Sequence, residues 1–191
     1  MAERYPGYDV LAKWDTPSFD EVTREVVAER LRPAERRFLT EEEWRLLDAV
    51  AARLIPQPDR AEPIPVTPGI DAILAEGRGE GYRREGVPPL REHWRRGLAA
   101  LAEEAGDFAA LPRADQDALL GRVQRGEVKT EWPVPPGRFF DDLLRAVVGV
   151  YYAHPHAWNE IGYGGPASPR GYVRLGFDAR DPWEAREADD G

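Results

Sequence analysis

The sequence predicts an all-α protein: a compact bundle of about six helices with an extended N-terminal arm and a loop-rich aromatic C-terminal segment. Apolar residues recur at helical spacing in stretches bounded by capping and breaking residues. No stretch alternates apolar and polar side chains at strand period with hairpin turns. Eighteen Pro and eighteen Gly cut the 191 residues into short pieces.

Composition separates three regions: an arm over residues 1–17, a helical domain over 18–153, and a Gly/Pro/aromatic segment over 154–191 that reads as a structured loop packed on the domain and on a partner. In the helical region, Ser18-Phe19-Asp20-Glu21 and Thr40-Glu41-Glu42-Glu43 both fit a capping box, in which a hydroxyl and a carboxylate three residues on satisfy orphan N–H groups reciprocally. Trp44, Leu47, Val50, Ala51, Leu54 and Ile55 then follow a helical stripe that Pro56 ends. A Pro-rich linker leads to Thr67-Pro68, which reads as the cap and first turn of a short helix. Leu90, Trp94, Leu98, Leu101 and Ala105 trace the next helix, closed by Gly106. Leu119, Leu120 and Val123 mark another, ending near Gly126. Phe139, Phe140, Leu143, Leu144, Val147, Val148 and Tyr151 mark the longest and most apolar one.

Charge and composition exclude several functions. The 26 basic and 35 acidic residues leave a net charge of −9, against a nucleic-acid binder, whose affinity for phosphate comes from clustered Lys and Arg. With no cysteine, disulfides, zinc–thiolate sites, iron–sulfur clusters and thiol nucleophiles are ruled out. Lys13 and Lys129 are the only lysines, which leaves little room for lysine chemistry. The longest apolar run, Ala146 to Ala153, falls far short of the ~20 residues that cross a bilayer, so direct membrane insertion is not expected. Arg36-Arg37-Phe38-Leu39 imitates a twin-arginine signal but is followed by Glu41-Glu42-Glu43 where an apolar stretch should stand. A cytoplasmic location is expected, with periplasmic delivery by co-export on a signal-bearing partner as the alternative.

The search for catalytic groups finds little. His154-Pro155-His156, with Glu160 the nearest carboxylate, could make a small independent enzyme or metal protein. Metal-binding histidines, however, usually share a helix face at i, i+3 or i+4 spacing, and loop histidines bonding a helix end suffice to explain the pair. Asp141 and Asp142 are neighbours on a helix and point about 100° apart, so they cannot share a reacting atom. Gly77-Arg78-Gly79-Glu80-Gly81-Tyr82 lacks the third glycine, the strand and the helix of a dinucleotide-binding turn. No serine lies in a nucleophile elbow. We therefore expect no catalytic, cofactor or metal residue in this chain. The C-terminal segment draws attention instead, because seven of the nineteen aromatics fall in the last 41 residues. Aromatics are the residue type enriched where protein surfaces meet. Tyr8, Trp14, Tyr152, His154, Trp158, Tyr163, Pro166 and Tyr172 are the candidate partner-binding residues, and an interaction module for an unrelated partner is a further alternative.

Two runs carry a family resemblance. The first is Phe38-Leu39-Thr40-x-x-Glu43-Trp44 with Leu47-x-Ala49 and Arg53-Leu54-Ile55-Pro56. The second joins Phe139-Phe140, Gly149-Val150-Tyr151-Tyr152, Trp158, Ile161-Gly162-Tyr163-x-Gly165-Pro166 and Pro169-x-Gly171-Tyr172. Over about residues 18–180 the chain resembles the gluconate 2-dehydrogenase subunit 3 family, and Tyr8 to Ser18 is similar to the start of members without a signal. The resemblance implies a non-catalytic small subunit of a FAD-dependent sugar or alcohol dehydrogenase. It would bind, stabilise and help mature a catalytic subunit of the glucose–methanol–choline (GMC) type, which carries the FAD, in a complex that can include a cytochrome subunit.

Overall fold

The structure, a computed structural model, describes residues 4–32, 34–77, 87–166 and 181–188. Among them are seven α-helices and no strand: α1 (Glu21–Leu31), α2 (Glu41–Leu54), α3 (Thr67–Glu76), α4 (Leu90–Ala105), α5 (Arg113–Arg125), α6 (Pro136–Ala153) and α7 (Pro155–Ile161), with short 3₁₀ turns at Val10–Lys13 and Phe108–Ala110. No helix is long and apolar enough to cross a membrane, among the described residues. The chain divides into two compact units, one of Met1–Pro33 with Tyr151–Gly191 and one of Ala34–Val150. Composition placed α1 with the central helices. In the fold it goes with the two chain ends, because its inner face packs against residues of the arm and of the C-terminal segment.

The central unit is built around the start of α2. Thr40 caps this helix: its hydroxyl accepts from the Glu43 N–H at 3.2 Å, and the Glu43 carboxylate accepts from the Thr40 N–H at 2.8 Å, the expected capping box. Asp71 on α3 is fully buried, and its two oxygens accept from three consecutive backbone N–H groups, Arg37 (2.6 Å), Phe38 (3.0 Å) and Leu39 (2.7 Å). Arg95 on α4 completes the clamp. Its guanidinium lies 4.3 Å from the Phe38 ring centroid, donates to the Phe38 carbonyl at 2.6 Å and pairs with Glu43. The Phe38-Leu39-Thr40-x-x-Glu43 motif is therefore a folding device.

Two caps differ from the sequence reading. Asp20, not Ser18, caps α1, accepting from the Thr23 N–H at 2.7 Å. A carboxylate at that position closes the bond directly, and Ser18 is two residues too early. Thr67 is the first residue of α3 rather than its cap, with its hydroxyl donating to Asp48 on α2 at 3.0 Å. The ends of α4 at Gly106 and α5 at Gly126 fall where the glycines predicted them. In α4, Gly97 exists for close approach: a Cβ there would lie 2.2 Å from the Phe139 ring of α6.

His93 is buried beside that ring, with Nε2 3.2 Å from Asp142, which also pairs with Arg138 at 2.8 Å. Nothing in its spacing singled it out. Burial pushes the His93 imidazole below its ordinary value; the Asp142 carboxylate opposes this and the Arg138 charge assists it. The unfolded chain then binds the proton more readily, so stability falls as the pH drops below the unfolded histidine value of about 6.5. Between pH 7 and 5.5 the denaturant midpoint of the wild type should fall more steeply than that of His93→Gln. Parallel slopes would assign the acid sensitivity to other groups.

Candidate functional site

The chain ends and α1 build the unit that carries nearly all the candidate partner-binding residues. The segment after Ala153 does not form a loop throughout, as its glycines and prolines suggested, but starts with α7. Pro155 occupies the first helical position, where its missing N–H costs nothing, and Gly162 closes the helix in the left-handed conformation at φ 65°. His154 is the N-cap: its Nδ1 accepts from the His156 N–H at 3.3 Å. The N-terminal arm likewise is not extended throughout. Asp9 accepts from the Leu11 N–H at 3.0 Å and starts the 3₁₀ turn Val10–Lys13.

Trp158 of α7 is the centre of this unit and is 1% exposed, clustered with Val10, Phe19 and Val27. Tyr8, Leu11, Trp14 and Leu31 pack around that cluster. The Trp158 indole N–H donates to the Tyr152 carbonyl at 2.7 Å, the Tyr163 ring meets it edge-on at 5.4 Å, and the Arg30 guanidinium lies 5.7 Å from its centroid. Gly165, at φ 81°, closes over the ring, where a Cβ would sit 3.1 Å from Trp158 and 3.3 Å from Phe19. Trp158, expected at a partner interface, lies in the core of this unit. A side chain enclosed on all sides by its own chain is a core residue, and it became one because a helix formed where a loop was expected.

The other candidates occupy different depths. Tyr152 and Tyr163 are exposed at 41% and 44%, and Ile161 beside them at 48%. Tyr8, Trp14, His154 and Pro166 are half-buried. The Tyr8 hydroxyl donates to the Tyr163 carbonyl at 3.3 Å, and Trp14 packs edge-on against Phe19. Tyr172 lies outside the described residues, as do Arg78 to Tyr82 of the glycine-rich run. Two contacts missed by the sequence reading tie the arm to α7 and the loop after it: Asn159 accepts from the Val10 N–H at 2.9 Å, and buried Lys13 donates to the Gly164 carbonyl. A cleft of about 330 Å³ opens beside them, lined by Tyr8, Lys13, Gly164, Asp181, Trp183 and Glu184 among others.

Several residues weighed for catalysis make contacts within the chain. Glu160 accepts from the Tyr151 hydroxyl at 2.6 Å, His154 caps α7, and the His154 and His156 rings lie 5.3 Å apart. Asp142 serves His93 and Arg138. Among the described residues, no three His, Asp or Glu side chains are grouped to hold a metal ion. What this unit presents is a surface with exposed Tyr152, Ile161 and Tyr163 above the buried Trp158.

The family model for gluconate 2-dehydrogenase subunit 3 matches residues 41–165, from the start of α2 to the glycine that covers Trp158. No curated protein and no solved structure matches the chain. The matched span covers well over half of the 191 residues and most of both sequence runs that carried the resemblance, so this chain belongs to the gluconate 2-dehydrogenase subunit 3 family and is of the kind that serves as one subunit of a dehydrogenase complex.

Proposed function

We propose that the chain is a non-catalytic accessory subunit that binds and stabilises the GMC-type catalytic subunit of a FAD-dependent sugar or alcohol dehydrogenase. The family match carries this reading. The exposed Tyr152, Ile161 and Tyr163, held on a buried tryptophan, support it, because a pre-ordered aromatic surface loses little entropy on binding. In this reading the FAD is carried by the partner subunit. A subunit that binds only the folded partner stabilises it by mass action, by about 2.7 kcal/mol at a hundredfold excess over its Kd. The two chains meet in the cytoplasm, and a signal on the partner would carry the pair out together.

The test is purification of the tagged chain from its own host, with an absorption spectrum and mass identification of whatever elutes with it. A stoichiometric large chain with flavin bands that oxidises a sugar or polyol is the expected result. A colourless chain that elutes alone, folded and monomeric, would overturn the proposal.

A further inference from the structure

Residues 4–8 and 181–188 are fastened to each other, and both segments line the cleft beside Lys13. The Ala188 N–H donates to the Arg4 carbonyl at 2.8 Å, and the Arg4 guanidinium pairs with Glu187 at 3.0 Å. The Tyr5 hydroxyl donates to the same carboxylate at 3.3 Å. Both segments close on Gly162, where a Cβ would come within 2.7 Å of the Tyr5 ring and 3.0 Å of Ala185. Gly162 thus serves the left-handed end of α7 and this close approach together.

The cleft has two kinds of wall. One is fixed: Tyr8, Lys13 and Gly164 belong to the arm and the loop after α7, which the Val10–Asn159 and Lys13–Gly164 hydrogen bonds join beside the Trp158 cluster. Lys13 is 4% exposed, and its ammonium lies 5.2 Å from the Phe19 ring centroid. The other wall is the fastened segment, through Asp181, Trp183 and Glu184. None of these three is buried, and the Arg4 and Glu187 side chains that help tie the segment down are 68% and 59% exposed. Ion pairs at the surface hold weakly and are screened by salt. Segments with exposed hydrogen bonds open before the core does.

We propose that residues 181–188 are a releasable strap over the Lys13 cleft. Closed, the strap shields the lysine. When the Arg4–Glu187 tie lets go, it leaves the fixed wall and uncovers the Lys13 ammonium, while the Trp158 core stays intact. The strap thereby sets when this buried cation is open to solution, and rising ionic strength favours the open form.

Lys13 and Lys129 are the only lysines, and Lys129 is exposed, so it serves as the internal standard for amine acetylation. The full chain is given short pulses of N-hydroxysuccinimidyl acetate at about 20 and about 300 mM NaCl, and both sites are followed by peptide mass spectrometry. Glu187→Lys and the charge exchange Arg4→Glu/Glu187→Lys are treated alike, and thermal unfolding by circular dichroism records global stability. In the wild type at low salt we expect Lys13 to react at least about tenfold more slowly than Lys129. Glu187→Lys should speed Lys13 by about threefold to tenfold, with Lys129 and the Tm unchanged. The charge exchange should restore most of the protection, and high salt should remove protection only where the pair is intact. A wild-type Lys13 as reactive as Lys129, or one that neither Glu187→Lys nor salt affects, overturns the strap. An exchange that protects no better than Glu187→Lys does so too, because the ion pair is then not the tie. A Lys13 rate that rises only where the Tm falls likewise overturns it, since the lysine then opens with its whole unit.

Discussion

Trp158→Ala should destabilise the chain by roughly 3–5 kcal/mol, the range for emptying a tryptophan site in a close-packed core. The indole is enclosed by Val10, Phe19, Val27 and Tyr163, with Gly165 pressed on its edge, so little can move in to fill the space. The substitution also leaves the Tyr152 carbonyl without its 2.7 Å donor. For a chain of this size, such a loss lowers the Tm by roughly 6–20 °C. Hydrogen exchange should accelerate most in Glu21–Leu31 and Pro155–Ile161, the helices that meet this ring. Loss of partner binding without loss of stability would show instead that the indole leaves the core to make the interface. Trp158→Phe should recover much of the packing but not the hydrogen bond, and so fall between the two.

Asp71→Ala is the second large effect, expected at about 3–4 kcal/mol. One buried carboxylate serves the Arg37, Phe38 and Leu39 N–H groups, and hydrogen bonds to a charged group are worth about 1.5–3 kcal/mol each when water cannot replace the partner. The estimate stays below the simple sum because Arg37 is at the surface, where water can take over its N–H. Asp71→Asn distinguishes charge from shape. Its amide keeps one acceptor oxygen and puts an NH₂ donor in place of the other, so at least one N–H loses its acceptor, and an intermediate loss is expected. Denaturant unfolding followed by helical circular dichroism measures both. A near-neutral Asp71→Ala would mean that the 37–39 segment is held by Arg95 and the Thr40 capping box alone.

These two residues show how unevenly the sequence displays its structure. α2, α4, α5 and α6 were legible because each has a long apolar stripe and a local stop signal, and local signals survive in any tertiary context. Thr40 and Glu43 were readable as a pair because the capping box needs only residues three apart. Asp71 was invisible because its partners lie more than thirty residues away. His93 was invisible for the same reason, its carboxylate coming from another helix. The family motif around Phe38 was recognisable as a pattern long before its purpose was, since the clamp from α3 and α4 exists only after folding.

The candidate surface repeats this division. The aromatic richness of the last 41 residues correctly directed attention to that segment, but richness alone does not sort core from surface. The local punctuation for α7, a proline at its start and a glycine at its end, was present and outweighed by the glycines that follow. Once α7 forms, Trp158 turns inward against Phe19 and Val27, while Tyr152 and Tyr163 stay outside.

By itself the sequence determined the all-helical class, most helix ends and the absence of any thiol chemistry, because periodicity, capping and composition act over a few residues or none. Only the tertiary structure decided that α1 joins the two chain ends, that the histidine pair starts a helix, and which aromatics face outward. Burial is a property of what lies opposite a side chain, and the chain brings that partner from about 150 residues away, as Asn159 does for Asp9 and Val10.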